Sequence, residues 1–192
     1  MKVVGVGDNV VDVYLDRGKM YPGGNALNFA VYAKQLGHES AFLGVFGDDD
    51  AGKHIHGTLK LLNIDTSRCR TLSGESGHAV VDLQDGDRVF IGSNGGGVSV
   101  SHPVTLSDAD LDYLSEFDVI HTSCYSAIEP ELPKLSSLSV PVSFDFSDKR
   151  EKGYLEKVCP HIEFAFVSCG EIGLEETEDL LRRAVELGSQ VA

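Results

Sequence analysis

Three observations in the sequence predict a parallel three-layer α/β/α domain carrying a β excursion. Short apolar runs alternate with helical patterns along most of the chain, the pattern of strands covered on both faces by helices. One stretch, GHAVVDLQDGDRVFIG at 77–92, breaks the alternation: two β-rich runs meet at Asp85-Gly86, a hairpin signal because glycine tolerates positive φ. The length of 192 residues, 42% hydrophobic and 24% charged, suits one sizeable core rather than two.

The elements follow in order. Residues 2–7 (KVVGVG) read as a buried strand, and 24–37 (GNALNFAVYAKQLG) as a helix closed by Gly37. Residues 41–47 (AFLGVFG) are a second buried strand; 50–63 form a helix whose inward stripe is Ile55, Leu59 and Leu62. After the hairpin, Ser107 with Asp110 three residues later caps a helix over 107–117. Strands at 118–124, 141–147 and 164–169 then alternate with helices at 130–139, 150–159 and 173–188, the last ending at Gly188. The final four residues, SQVA, fall where a next parallel strand is expected to begin, so the 192 residues read as part of a longer protein.

Bulk chemistry narrows the function. The formal net charge is −14, from 30 acidic and 16 basic residues, which repels nucleic acid and anionic membranes as main partners. The four cysteines, Cys69, Cys124, Cys159 and Cys169, form no C-x-x-C pair and read as buried, reduced thiols. The N-terminal apolar run is interrupted by Asp8 and Asp12, too short for a signal peptide, and no stretch approaches the ~20 apolar residues of a membrane span. A cytoplasmic protein is expected.

Several glycine motifs lead nowhere. Gly5-Val6-Gly7 lacks the third glycine of a dinucleotide fingerprint, since position 10 is Val10, and no Walker loop is present. Asn94-Gly95-Gly96-Gly97 lacks the Lys-Ser/Thr of a phosphate cradle and reads as a flexible exit from the hairpin. His54 and His56, two apart on a helix, point in nearly opposite directions and read as surface residues. Gly23-Gly24-Asn25 could be no more than a turn with Asn25 capping a helix. Its context adds meaning. Asp8 and Asp12 lie just past the carboxyl end of the first strand, where open α/β sheets bind ligands, and carboxylates and amides beside free helix N–H groups suit sugar hydroxyls.

These residues resemble the ribokinase (PfkB) family of carbohydrate kinases over nearly the whole chain. The likeness rests on Gly23-Gly24-Asn25-Ala26-Leu27-Asn28, Gly37, and the run from Gly44 to Gly52, GVFGDDDAG. Within the family it is strongest to kinases of amine-conjugated ketoses such as fructoselysine, through GDNVVDVY, DGDRVF and FDFSDK.

The resemblance implies a ribokinase-like domain spanning 1–192, incomplete at its C-terminal portion, with a small β lid inserted at about 78–92. It implies ATP and Mg2+, a small-molecule sugar or fructosamine as substrate, and a homodimer clasped through the lid. Asp12 would grip substrate hydroxyls; Gly23, Gly24 and Asn28 would line the sugar pocket, with Asp8 and Asn9 close by and Arg88 closing from the lid. The family's N-x-x-E stretch, associated with phosphate and metal, reads Ser168-Cys169-Gly170-Glu171, and its D-x-N-x-R stretch reads Asp145-Phe146-Ser147-Asp148-Lys149; both lose the amide. No direct metal ligand is assigned. The family's glycine-rich turn with the general-base aspartate has no match here, so the base is expected beyond residue 192 and the 192-residue chain alone is expected to be inactive. Alternatives are a non-catalytic sugar-binding or regulatory homologue, and another sugar kinase of fructokinase or ribokinase type.

Overall fold

The computed structural model describes residues 1–84 and 87–192, with the backbone alone at 84, 87 and 88. The chain begins with β1 (Lys2–Gly7), then folds into an antiparallel pair, β2 (Val10–Tyr14) and β3 (Lys19–Gly23). Next come α1 (Asn25–Gln35), β4 (Glu39–Gly47), α2 (Asp50–Leu61) and β5 (Arg70–Leu72). β6 (Gly77–Gln84) and β7 (Asp87–Ser93) are followed by α3 (Val98–Ser101), α4 (Asp108–Leu114) and β8 (Val119–Ser123). A 3-10 turn at Glu129–Glu131 leads into α5 (Leu132–Leu135), then β9 (Val142–Asp145) and α6 (Lys152–Val158). A second 3-10 turn, Cys159–His161, precedes β10 (Phe164–Phe166) and α7 (Leu174–Glu186).

The main sheet is parallel, in the order β10-β9-β8-β1-β4-β5. Alternation along the strands builds the three layers. Ala41, Leu43 and Val45 of β4, with Val4 and Val6 of β1, join the core under α4 to α7. Phe42 and Phe46 face the other way, into a core with Ala26, Leu27 and Ala30 of α1 and Ile55 and Leu59 of α2. Gly5 also faces α1, and a Cβ there would lie 2.0 Å from Ala26 O, so α1 can pack directly on the strand. The expected stripe of α2 holds, with Ile55 and Leu59 buried and Leu62 packed at its edge. The capping box of Ser107 and Asp110 is present on α4. At the sheet edge, Val191 forms a parallel bridge with Phe164.

A second sheet, in the order β3-β2-β6-β7, forms the lid. The sequence reading placed two strands there; the structure has four, because β2 and β3 join the excursion even though they precede it by more than fifty residues. Pro22 in β3 is compatible with an edge strand, which does not need its N–H. The Asp85-Gly86 turn lies outside the described residues. A bulge between Val80 and Val81 shifts the register of β7, so Val80 opposes Gly92 while Val81 opposes Phe90. Val11, Val13 and Met20 anchor the lid on the α1–α2 core. The opposite face runs through Asp12, its partners Tyr21 and Ala79, and the Val81–Phe90 pair.

Two local expectations are corrected. Gly95, Gly96 and Gly97 are not a loose exit: all three hold left-handed φ of 71°, 96° and 60°, and Gly97 packs so tightly that a Cβ would strike Glu75 O at 2.3 Å. His56 is only part-exposed, because its ring stacks on Phe46 at 5.0 Å and meets Thr66 Oγ1 at 3.1 Å. All four cysteines are free; Cys124 and Cys159 are buried, Cys69 and Cys169 half-buried.

Candidate functional site

The main sheet changes direction at β1: later strands are added toward β5 on one side and toward β10 on the other. Such a switch point leaves a crevice at the carboxyl ends of the strands. A cleft of about 990 Å3 opens there, bordered by Asp8 after β1, Tyr125 after β8, Ser147 after β9, the start of α1, and the lid.

The start of α1 is held by a residue from another element. The N-cap position is Gly24, with φ 109° and no side chain, so the cap expected from Asn25 is absent. Asp8 takes the role. Its Oδ2 accepts from the N–H of Asn25, while Oδ1 accepts from Ala26 N at 3.2 Å and from the hydroxyls of Ser123 and Ser126, each at 2.8 Å. Asp8 is 5% exposed. This carboxylate satisfies the orphan donors of a helix N-terminus, where the dipole also favours negative charge. Gly24 is required for the approach, since a Cβ would come within 2.8 Å of Asn9 Cα and Asp8 O.

Freed from capping, Asn25 joins a chain of hydrogen bonds that runs from the buried His121 to the exposed Tyr125. Its Nδ2 donates to Asp145 Oδ2, so its Oδ1 faces His121 Nε2 at 2.9 Å. An amide oxygen only accepts, which places the His121 proton on Nε2 and leaves Nδ1 to accept from Ser143 Oγ at 2.9 Å. The ring stacks on Phe29 at 4.4 Å. Burial lowers the His121 pKa to about 4 against the opposing pull of Asp145 and Asp8, and the imidazole is neutral at pH 7. The chain continues from Asp145 Oδ1, which accepts from Ser147 N at 2.7 Å, to Tyr125, whose hydroxyl donates to Ser147 Oγ at 2.9 Å.

The structure brings Asp8, Asp12, Gly24 and Asn28 to the cleft wall. Gly23 adjoins it: a Cβ there would lie 3.1 Å from Asp12 Oδ2, so the glycine leaves room for that carboxylate. Asn9 does not reach the wall; it is buried and donates from Nδ2 to Val45 O at 3.0 Å. Arg88 pairs with Leu83 in backbone register, and its side chain lies outside the described residues. Ser168 and Glu171 are exposed beyond β10 and do not line the cleft; the Ser168 N–H reaches Ser147 O at 2.7 Å. The run from Gly44 to Gly52 proves to be a brace. Asp49 caps α2 through Gly52 N at 2.8 Å and also accepts from Ser76 N and Oγ, tying α2 to the root of β6. Sequence reasoning missed His121, Ser123, Ser126 and Tyr125; the only signal was a polar run, His-Thr-Ser, closing an apolar strand.

A switch-point cleft under a β lid, with a carboxylate on the lid and a helix N-terminus at its floor, is the arrangement of a ribokinase-like carbohydrate kinase. Residues 1–138 match the model of the pfkB family carbohydrate kinases, and the chain belongs to that family. It is 45% identical over 192 residues to the fructosamine kinase FrlD of Bacillus subtilis (strain 168), covering all of this chain and 67% of that relative. It is 34% identical over 180 residues to the fructoselysine 6-kinase of Escherichia coli (strain K12), covering 94% of this chain and 67% of that one. The chain thus spans about two thirds of the length of both relatives. A structure of Arabidopsis thaliana ribokinase complexed with ribose and ATP matches with a TM-score of 0.76, over 97% of this chain and 68% of that one; at 22% identity the likeness is one of fold. Among the described residues no helix is long and apolar enough to cross a membrane.

Proposed function

We propose that the protein is an ATP-dependent kinase that phosphorylates a primary hydroxyl of a fructosamine, a ketose joined to an amine. The observation that carries this reading is the wall shared by Asp12, Gly24 and Asn28 at the mouth of α1, roofed by Phe90 and Ile91 of the lid. Asp12 accepts hydrogen bonds from sugar hydroxyls, the amide of Asn28 serves others, and Gly23 and Gly24 let the backbone approach. Asp8 and Asn9 act behind them. The names of the two curated relatives support the fructosamine.

Tyr125 and Ser147, just past the ends of β8 and β9, also line the cleft. The sugar hydroxyl oxygen forms a bond to the γ-phosphorus, the bond to the ADP oxygen breaks, and the hydroxyl proton passes to a carboxylate base. Asp8 and Asp145 are unsuited to that base role, since their oxygens already accept from Asn25 and from serine or backbone donors. Among the described residues no group of three or more His, Cys, Asp or Glu converges to hold a metal. In this reading a magnesium ion is carried mainly by phosphates and water, with Glu171 of the Ser168–Glu171 stretch as its associated acid. When bound, such an ion neutralises charge on the transferring phosphoryl.

The lid serves as a dimer clasp in this reading. Tyr21 and Phe90 lie on the Asp12 face and are 42% and 60% exposed, an apolar surface that a second lid would cover. Light scattering of the full-length protein checks this, and a monomer at all concentrations ends the clasp. The activity test is ADP release with ATP and a panel of fructosamines, fructose and ribose. Fructosamine turnover supports the reading; sugar-dependent thermal stabilisation without turnover identifies a binding homologue instead.

A further inference from the structure

Asn25 carries more hydrogen-bonding capacity than the fold uses. A side-chain amide has two N–H donors and one oxygen. The oxygen faces His121 Nε2 at 2.9 Å, and one N–H donates to Asp145 Oδ2. Among the described residues nothing accepts the second N–H. Asn25 lines the cleft, as does Asn28 three residues on. Residues three apart are neighbours on one helix face, so the spare donor belongs to the same wall as Asn28.

Two partners fix which way this amide faces. Turned over, it would set its oxygen against the Asp145 carboxylate and its NH2 against the Nε2–H of His121, and both bonds would be lost together. His121 is itself held in place: it is buried, Ser143 Oγ meets its Nδ1 at 2.9 Å, and its ring lies 19° from the plane of Phe29. It stands behind the wall and does not border the cleft.

We infer that His121 is a positioning residue for the sugar-binding wall: its Nε2–H locks the amide of Asn25, so that the spare N–H donates to a hydroxyl oxygen of the bound sugar. The inference rests on the sugar-kinase reading above. The imidazole touches no substrate and acts through Asn25 alone. Without the Nε2–H, the amide keeps a single bond to Asp145 and turns more freely, and binding must then restrain it.

The test is a double-mutant cycle in the full-length protein, with ATP and whichever of a panel of fructosamines, fructose and ribose is turned over fastest. His121→Phe keeps a ring against Phe29 and removes the donor. It should raise KM for the sugar about three- to tenfold with kcat within about twofold, the scale of one neutral hydrogen bond. His121→Gln, which can set an amide N–H near the Nε2 position, should recover most of that loss. Asn25→Ala should raise KM at least as much as His121→Phe, and adding His121→Phe to it should raise KM no further, because a residue that acts through another is not additive with it. A merely structural histidine would multiply the two factors, and that result overturns the inference. The wild type supplies a second measurement that needs no variant to fold: nitrogen-15 NMR of the imidazole at pH 7 should show the proton on Nε2, and a proton on Nδ1 overturns the positioning role whatever the sugar. If no sugar of the panel is turned over or bound, the sugar-kinase reading falls, and the positioning role with it.

Discussion

Replacing Asp8 by asparagine preserves the shape of the side chain and turns one acceptor into a donor. Four donors converge on the native carboxylate: one from Asn25 N at Oδ2, and those of Ala26, Ser123 and Ser126 at Oδ1. The less costly orientation keeps the carbonyl where Oδ1 stood and sets the new NH2 against the N–H of Asn25. One charge-assisted hydrogen bond, worth about 1.5–3 kcal/mol, is lost, and a donor buried at the helix start is left unpaired, which costs about 1–3 kcal/mol more. Loss of an N-cap by itself costs about 0.5–2 kcal/mol, so these overlap and the sum is about 2–4 kcal/mol. For a domain of this size that lowers Tm by roughly 2–4 °C per kcal/mol. Urea unfolding followed by circular dichroism reads it directly, as a fall in midpoint at constant slope. An Asp8→Asn protein within about 0.5 kcal/mol of wild type would refute the capping role.

Asp12→Asn should keep the fold and weaken sugar binding by about 1.5–3 kcal/mol, measured by titration calorimetry; unchanged affinity in the folded variant removes Asp12 from the site. The two adjacent glycines should separate in the same way. Gly24→Ala forces a side chain onto φ 109° and into the backbone of Asp8 and Asn9, and should destabilise by at least about 1–3 kcal/mol. Gly23→Ala displaces only the Asp12 carboxylate, 3.1 Å from the new Cβ, so calorimetry should record lost affinity with little loss of stability. His121 titrates at about 4 when folded and near its ordinary 6.5 when unfolded. Between those values the unfolded chain binds the extra proton, so stability should fall as pH drops from 6.5 toward 4, by up to about 3 kcal/mol. A His121→Asn variant should flatten that slope in pH-dependent urea unfolding, and an equal slope in both proteins contradicts the assignment.

Much of the architecture is local in origin and was legible along the chain. The apolar runs of β1, β4, β8 and β9 mark buried parallel strands because both faces need cover, and the periodicity of α1, α2 and α7 marks their inward sides. The Ser107–Asp110 box announced α4 because its two partners sit three residues apart. GGNALN could be placed at a helix mouth for the same reason, whereas Asp12, expected just past the end of β1, sits in the middle of β2. What the linear pattern could not supply were the pairings that cross the chain. Val10–Tyr14 and Lys19–Gly23 carry ordinary strand residues, and only the parallel register of β2 with β6 makes them lid. Asp8 caps α1 across 17 residues and meets Ser123 and Ser126 across 115 and 118; Asn25 reaches Asp145 across 120. Which end of a carboxylate or amide is satisfied, and by whom, is decided where strand ends converge at the switch point. There a buried donor must find an acceptor among whatever groups packing brings within about 3 Å, whatever their separation in sequence.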